Sequence, residues 1–129
     1  MKKDIDFSPV KNVHVVIART EEGWKVFIIN RNAEKLENVM ITSKGYGEQK
    51  GESQATSTLR HMIPYLDPGM YALVEPIDES VLHLTNEYWV SYFINGQVFD
   101  KKFIFVPDSI IEANLSFIEE LKMRGILHD

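Results

Sequence analysis

The residues best suited to chemistry lie in one stretch, Thr56-Ser57-Thr58-Leu59-Arg60-His61, where hydroxyls, a guanidinium and an imidazole follow one another. Arg60 could fix a carboxylate or phosphate at two points, and His61 could exchange a proton near neutral pH. Strand alternation sets them on opposite faces, however, so one ligand would not meet both. The plainer reading is an edge strand kept polar against aggregation, with His61 partly packed. Upstream, Gly45-Tyr46-Gly47 between Lys44 and Lys50 suggests backbone amides around a phosphate. The stretch lacks the Gly-Lys-Ser/Thr ending of a phosphate loop, and Lys50 stands where a dinucleotide fingerprint needs its third glycine. These residues predict an exposed loop over 44–55, whose functional version is a lid over Tyr46, Arg60 or His61.

His14, His61, His83 and His128 are scattered, none two or four residues from another, so neither a metal chelate nor a cofactor is expected. No Gly-x-Ser-x-Gly elbow is present, and nothing in the spacing pairs Glu75, Glu87 or Asp100 as acid and base. The balance therefore leans away from an enzyme. A second candidate surface is aromatic: Trp89 and Phe93 share a strand face with Asp100 and Lys102, an apolar patch rimmed by charge, as at protein interfaces.

The element that positions this patch is the strongest in the chain. Two aromatic, β-branched runs flank Asn95-Gly96, residues that accept the positive φ angles of a two-residue type I′ turn, so 86–106 reads as a long hairpin. The turn sets Ile94 opposite Gln97, Tyr92 opposite Phe99, Val90 opposite Lys101 and Tyr88 opposite Phe103 on a core-facing side. The other side pairs Phe93 with Val98, Ser91 with Asp100, Trp89 with Lys102 and Glu87 with Ile104. Lys101 is the misfit, since an unpaired ammonium in a core costs several kcal/mol. Either it snorkels to an edge or a bulge near Asp100 shifts the register.

Further strands are predicted near 12–19, over 24–30 with apolar groups on both faces, over 36–43, over 56–63, and over 70–77, where Pro76 implies an edge or an end. Residues 1–11 read as a loosely held arm. Beyond the hairpin, Ser109-Ile110-Ile111-Glu112 matches a capping box and Gly125 suits the position past a helix end, which predicts a helix over 109–124. Its apolar residues span about 200°, wider than the usual stripe. With 129 residues and no internal repeat, the expectation is a single domain 1–129, an antiparallel β-sandwich of about seven strands over 12–106 with one C-terminal α-helix.

Ile28-Ile29-Asn30, then Leu36-Glu37-Asn38-Val39-Met40-Ile41, then Leu66-Asp67-Pro68-Gly69 resemble the strand-and-turn pattern of immunoglobulin-like and fibronectin-like sandwich modules. The resemblance covers roughly 12–106, without the disulfide of antibody domains, and implies a binding or scaffolding unit.

Composition sets the remaining bounds. A net charge of −5 provides no field for a polyanion, so nucleic acid is not the expected partner. Without cysteine the chain has no thiolate metal site and no cysteine nucleophile. The apolar run Val15-Val16-Ile17-Ala18 is too short to span a bilayer, and Asp4, Asp6 and Pro9 interrupt any signal-peptide core, so no membrane association and a cytoplasmic location are expected. Three functional readings follow. The first is a non-catalytic protein-interaction or scaffolding domain that binds a protein partner or self-associates as a homo-oligomer. The second is a small nucleic-acid module, of which a tRNA-associated piece is one form, stacking bases on Tyr88, Trp89 or Tyr92. The third is a small-molecule carrier or enzyme with the 44–55 loop as lid.

Overall fold

The computed structural model describes residues 9–129. Ten strands follow one another: β1 (Val13–Thr20), β2 (Gly23–Asn30), β3 (Leu36–Gln49), β4 (Glu52–Ala55), β5 (Leu59–Leu66), β6 (Tyr71–Ile77), β7 (Thr85–Ile94), β8 (Gln97–Phe105), β9 (Ser116–Ile118) and β10 (Met123–His128). They form two antiparallel sheets. The first has the order β6-β2-β1-β10-β9; the second has the order β4-β3-β7-β8, with β5 also paired to the long β3. Antiparallel alternation gives each sheet one inward apolar face, and those faces meet. Val15, Ile17, Val26 and Ile28 from the first sheet share a core with Ile41, Tyr88, Val90, Tyr92 and Phe103 from the second. β2 is buried on both faces from Val26 to Asn30, as its unbroken apolar run predicts.

The β7–β8 hairpin keeps every predicted pair, from Ile94 opposite Gln97 to Glu87 opposite Ile104. Asn95 (φ 49°) and Gly96 (φ 79°) supply the two positive angles that set this register. Lys101 holds its place without a bulge. Its stem crosses Phe103, with Nζ 4.8 Å from the ring centroid, and its ammonium donates to the backbone oxygen of Asp129. Snorkelling therefore resolves the misfit.

Two of the three stretches quoted for the sandwich pattern, 28–30 and 66–69, meet at one buried side chain. Asn30 Nδ2 donates to Leu66 O (3.0 Å) and Glu34 O (2.9 Å), while its Oδ1 accepts from Asn32 N (2.9 Å). A buried amide with donors and acceptor satisfied pins the end of β2 to the turns on either side of it.

Ten strands among the described residues stand where about seven were expected, and two further expectations are overturned. No α-helix is present among the described residues; the expected helix over 109–124 is replaced by a 3-10 turn at Glu112–Asn114, then β9 and β10. Ser109 Oγ donates to Val106 O (2.7 Å) rather than capping a helix. The reason is tertiary. β1 has an open edge on the side away from β2, and β10 fills it, pairing Val15–Ala18 with residues 125–128. The apolar residues of this segment also serve two layers, since Ile110 enters the inter-sheet core while Ile118 and Leu121 pack outside the first sheet. A single helical stripe would not reach both, and the 200° arc records that division.

The second correction concerns 44–55. Instead of an open loop, β3 runs on to Gln49 and returns as β4, turning at Lys50 (φ 54°) and Gly51 (φ 78°), again the angles of a type I′ turn. Glycines and charges signal a turn here without ruling out polar strands. Of the arm expected over 1–11, residues 1–8 lie outside the described region, and Val10 is partly buried against the core.

The strand edges are blunted. β5 and β6, at the borders of their sheets, contain Pro64 and Pro76, which lack the N–H that a docking strand would need. β9 has only three residues, and β8 carries the charged run Asp100-Lys101-Lys102. Among the described residues, no helix is long and apolar enough to cross a membrane.

Candidate interaction surface

The outward residues of the second sheet form a grid across β5, β3, β7 and β8. One row holds Arg60, Thr42, Trp89 and Lys102; the next holds Met62, Met40, Ser91 and Asp100; a third holds Glu37, Phe93 and Val98. On the far side of the Trp89 row come Lys44, Glu87 and Ile104. Trp89 is 45% exposed, Phe93 38%, Met40 41% and Met62 59%, so no segment of the described chain covers this face. Between Trp89 and Phe93, above Ser91, lies a shallow depression of about 350 Å³.

Charged neighbours hold Trp89 in place. Its Nε1 donates to Asp100, and Lys102 Nζ lies 5.0 Å from its ring centroid. Such an exposed cation–π contact contributes about 0.5–1 kcal/mol. The four residues expected as an interface, Trp89, Phe93, Asp100 and Lys102, thus form one cluster. Alternation within a hairpin of known register is what made the cluster visible in sequence, while Met40 and Met62 were missed. They come from two other strands, and nothing local announces which strands flank β7.

The residues expected to contact a ligand do not converge. Arg60 points outward opposite Thr42, and His61 points inward opposite Ile41, the two faces that alternation required. Tyr46 lies four residues beyond Thr42 on β3, where its hydroxyl donates to Glu87 Oε1 (3.1 Å). Glu87 is itself buried and has Lys44 Nζ 3.9 Å from Oε2. Burial and the hydrogen bond to Glu87 push the Tyr46 phenol up.

His61 belongs to a different cluster. Its Nε2 lies 2.6 Å from Oε1 of Glu75, a residue of β6 that reaches between the sheets beside the register shift at Val26/Phe27. Ser43 Oγ donates to the same oxygen (2.9 Å), and Tyr88 OH approaches Oε2 (3.5 Å). Burial, with the Glu75 charge behind it, raises the Tyr88 phenol far above its ordinary value, so it stays a donor. A crevice of about 210 Å³ opens beside this cluster, with Thr56, Asn86 and Asp78 among its walls. Ser43 and His61 both meet the carboxylate rather than each other, so no nucleophile–base pair is formed. The cluster closes the open side of the sandwich by a hydrogen-bonded clip between β6 and β5. Among the described residues, no group of three or more His, Asp or Glu side chains is placed to hold a metal ion.

Comparison with protein-family models and with curated proteins gives no match to this chain.

Proposed function

We propose that this chain is a non-catalytic interaction module that docks through the outer face of its second sheet. The observation that carries the reading is the apolar surface of Trp89, Phe93, Met40 and Met62, left open together beside charged residues, whereas the outer face of the first sheet is covered over Val16, Ala18, Phe27 and Ile29 and leaves Tyr71 and Leu73 exposed on its β6 border. An apolar patch of this kind with a charged rim is the anatomy of a docking surface. Blunted strand edges favour the face over strand addition as the mode of contact. Among the described residues Ser43, His61 and Tyr88 meet Glu75 as a hydrogen-bonded clip and not as a nucleophile with its base, and Tyr46 and Arg60 lie apart from it, which favours docking over catalysis.

A relationship to immunoglobulin-like or fibronectin-like modules is part of the same reading. Its support is strand order: β1, β2 and β6 lie side by side in one sheet and β3, β7 and β8 in the other, as strands A, B, E and C, F, G do in those sandwiches. The β9–β10 pair beside β1 is an addition to that plan.

The test is a photo-reactive phenylalanine analogue placed at position 93 and irradiated in cells, with the same analogue at exposed Glu21 as control. A defined covalent adduct at 93 and none at 21 supports docking through this face. No adduct at either position removes the reading.

A further inference from the structure

We infer that the occupant of this face is a second copy of the chain, docked face to face about a two-fold axis; the inference rests on the reading of the face as a docking surface. The order of charges along the grid favours this occupant. A two-fold axis between stacked faces must lie in the interface plane, and here it runs across the strands, between the Trp89 and Ser91 rows. This operation reverses the order of rows and leaves each strand over its counterpart. Lys102 of one copy then lies over Asp100 of the other, and Lys44 over Glu37, because Lys102 and Asp100 are outward neighbours on β8 while Lys44 and Glu37 end the same face of β3. Symmetry repeats each contact, so the face carries four oppositely charged pairings without any residue meeting its own like.

The apolar residues match in part: Met40 falls on Thr42, while Phe93 falls on Glu87 and Met62 on the stem of Arg60. Ile104 falls on Val98 of the second copy, and the indole of Trp89 falls on Ser91, the small floor of the depression. That space, about 350 Å³, is room for a bulky side chain from the opposite face. Two sheets stacked about 10 Å apart would interdigitate across it in the way the two sheets of one copy do. A rotation about the strand direction instead keeps each row on itself, setting Arg60 against Lys102 twice and Lys44 against Glu87 twice; two like-charged contacts offset two opposite ones, whereas the first packing has four opposite ones and no like pair.

Sedimentation velocity over a protein concentration series tests the inference, with Lys102→Asp, Asp100→Lys and the double exchange beside the unaltered chain. The unaltered chain is expected to form a dimer. Each single reversal opposes like charges twice per dimer and is expected to weaken association about tenfold or more. The double exchange restores opposite pairs and is expected to return the dissociation constant to within about threefold of the original. Thermal melting of each variant at the lowest concentration checks that the monomer remains folded. A monomer throughout, a dimer indifferent to single reversals, or a double exchange no better than the singles would each overturn the inference. A monomer that still gives an adduct to a different protein from position 93 leaves the docking reading standing; a monomer with no adduct removes both.

Discussion

On the first sheet the outward residues Val16, Ala18, Phe27 and Ile29 are closed off by Ile118 and Leu121, with Tyr71 and Leu73 left exposed on the β6 border, whereas on the second sheet Met40, Met62, Trp89 and Phe93 all face water. Both faces arise from the same period-two alternation, so alternation alone does not decide which becomes interior. Residue type separates them. Apart from Phe27, the covered face uses short or branched side chains that pack tightly against a turn of the same chain, and Gly125 on β10 lets that turn come close. The open face uses long, adaptable methionines and large aromatics beside charged groups, a composition suited to surfaces that meet another molecule.

The largest expected effect comes from uncovering the first face. Leu121→Ala is expected to lower stability by about 2–5 kcal/mol, as a truncation that leaves a cavity among buried residues does. Phe93→Ala, on the open face, is expected to stay within about 0.5 kcal/mol in dilute monomer, the range of ordinary surface substitutions. Denaturant titration of both variants measures the contrast, and equal losses would show that the faces do not differ in this way.

Next in size is Gly125→Ala. An added Cβ would stand 2.7 Å from Val16 Cγ1 and 3.3 Å from Ala18 Cα, so β1 and the covering turn must separate. Overpacking of this kind costs about 1–3 kcal/mol. Hydrogen exchange should quicken in 116–127 and stay unchanged in 85–105.

The smallest effect is on pH. Arg31 donates twice to Glu120 in the covering turn, at 2.7 and 3.0 Å, and these bonds hold the Glu120 carboxyl below its usual range. Burial, then the charge of Arg31, lowers the His14 imidazole on the same face. Both shifts act in one direction. Glu120 contributes stability that is present above its ordinary pKa of 4.5 and lost as pH falls through the lowered folded value. His14 contributes stability present above 6.5 and lost as its neutral buried form must charge. Acidification from pH 7 to 4 should therefore lower the melting temperature, and less so in Arg31→Gln, where the bonds that lower Glu120 are gone.

How much of this was legible in sequence differs between the same two faces. The open face was readable because Asn95-Gly96 locks the register of β7 on β8, and register decides which side of the hairpin carries Trp89. The covered face was not. Its cover comes from residues whose local signals, Ser109-x-x-Glu112 and Gly125, match helix ends, and only the unfilled edge of β1 turns them into strands. Local propensity yielded to tertiary pairing there. The clip of Glu75 with Ser43, His61 and Tyr88 was equally hidden, since its members lie on four strands and no spacing along the chain brings them together.

The most direct measurement follows Trp89 itself. Trp24→Phe leaves Trp89 as the sole tryptophan, since the chain has two. Its emission and acrylamide quenching are then read across a protein concentration series alongside sedimentation. The account predicts a water-exposed indole in dilute protein, with emission moving to shorter wavelength and quenching falling at the same midpoint as dimer formation. Emission and quenching that stay constant while the protein associates would place the contact elsewhere and contradict the account.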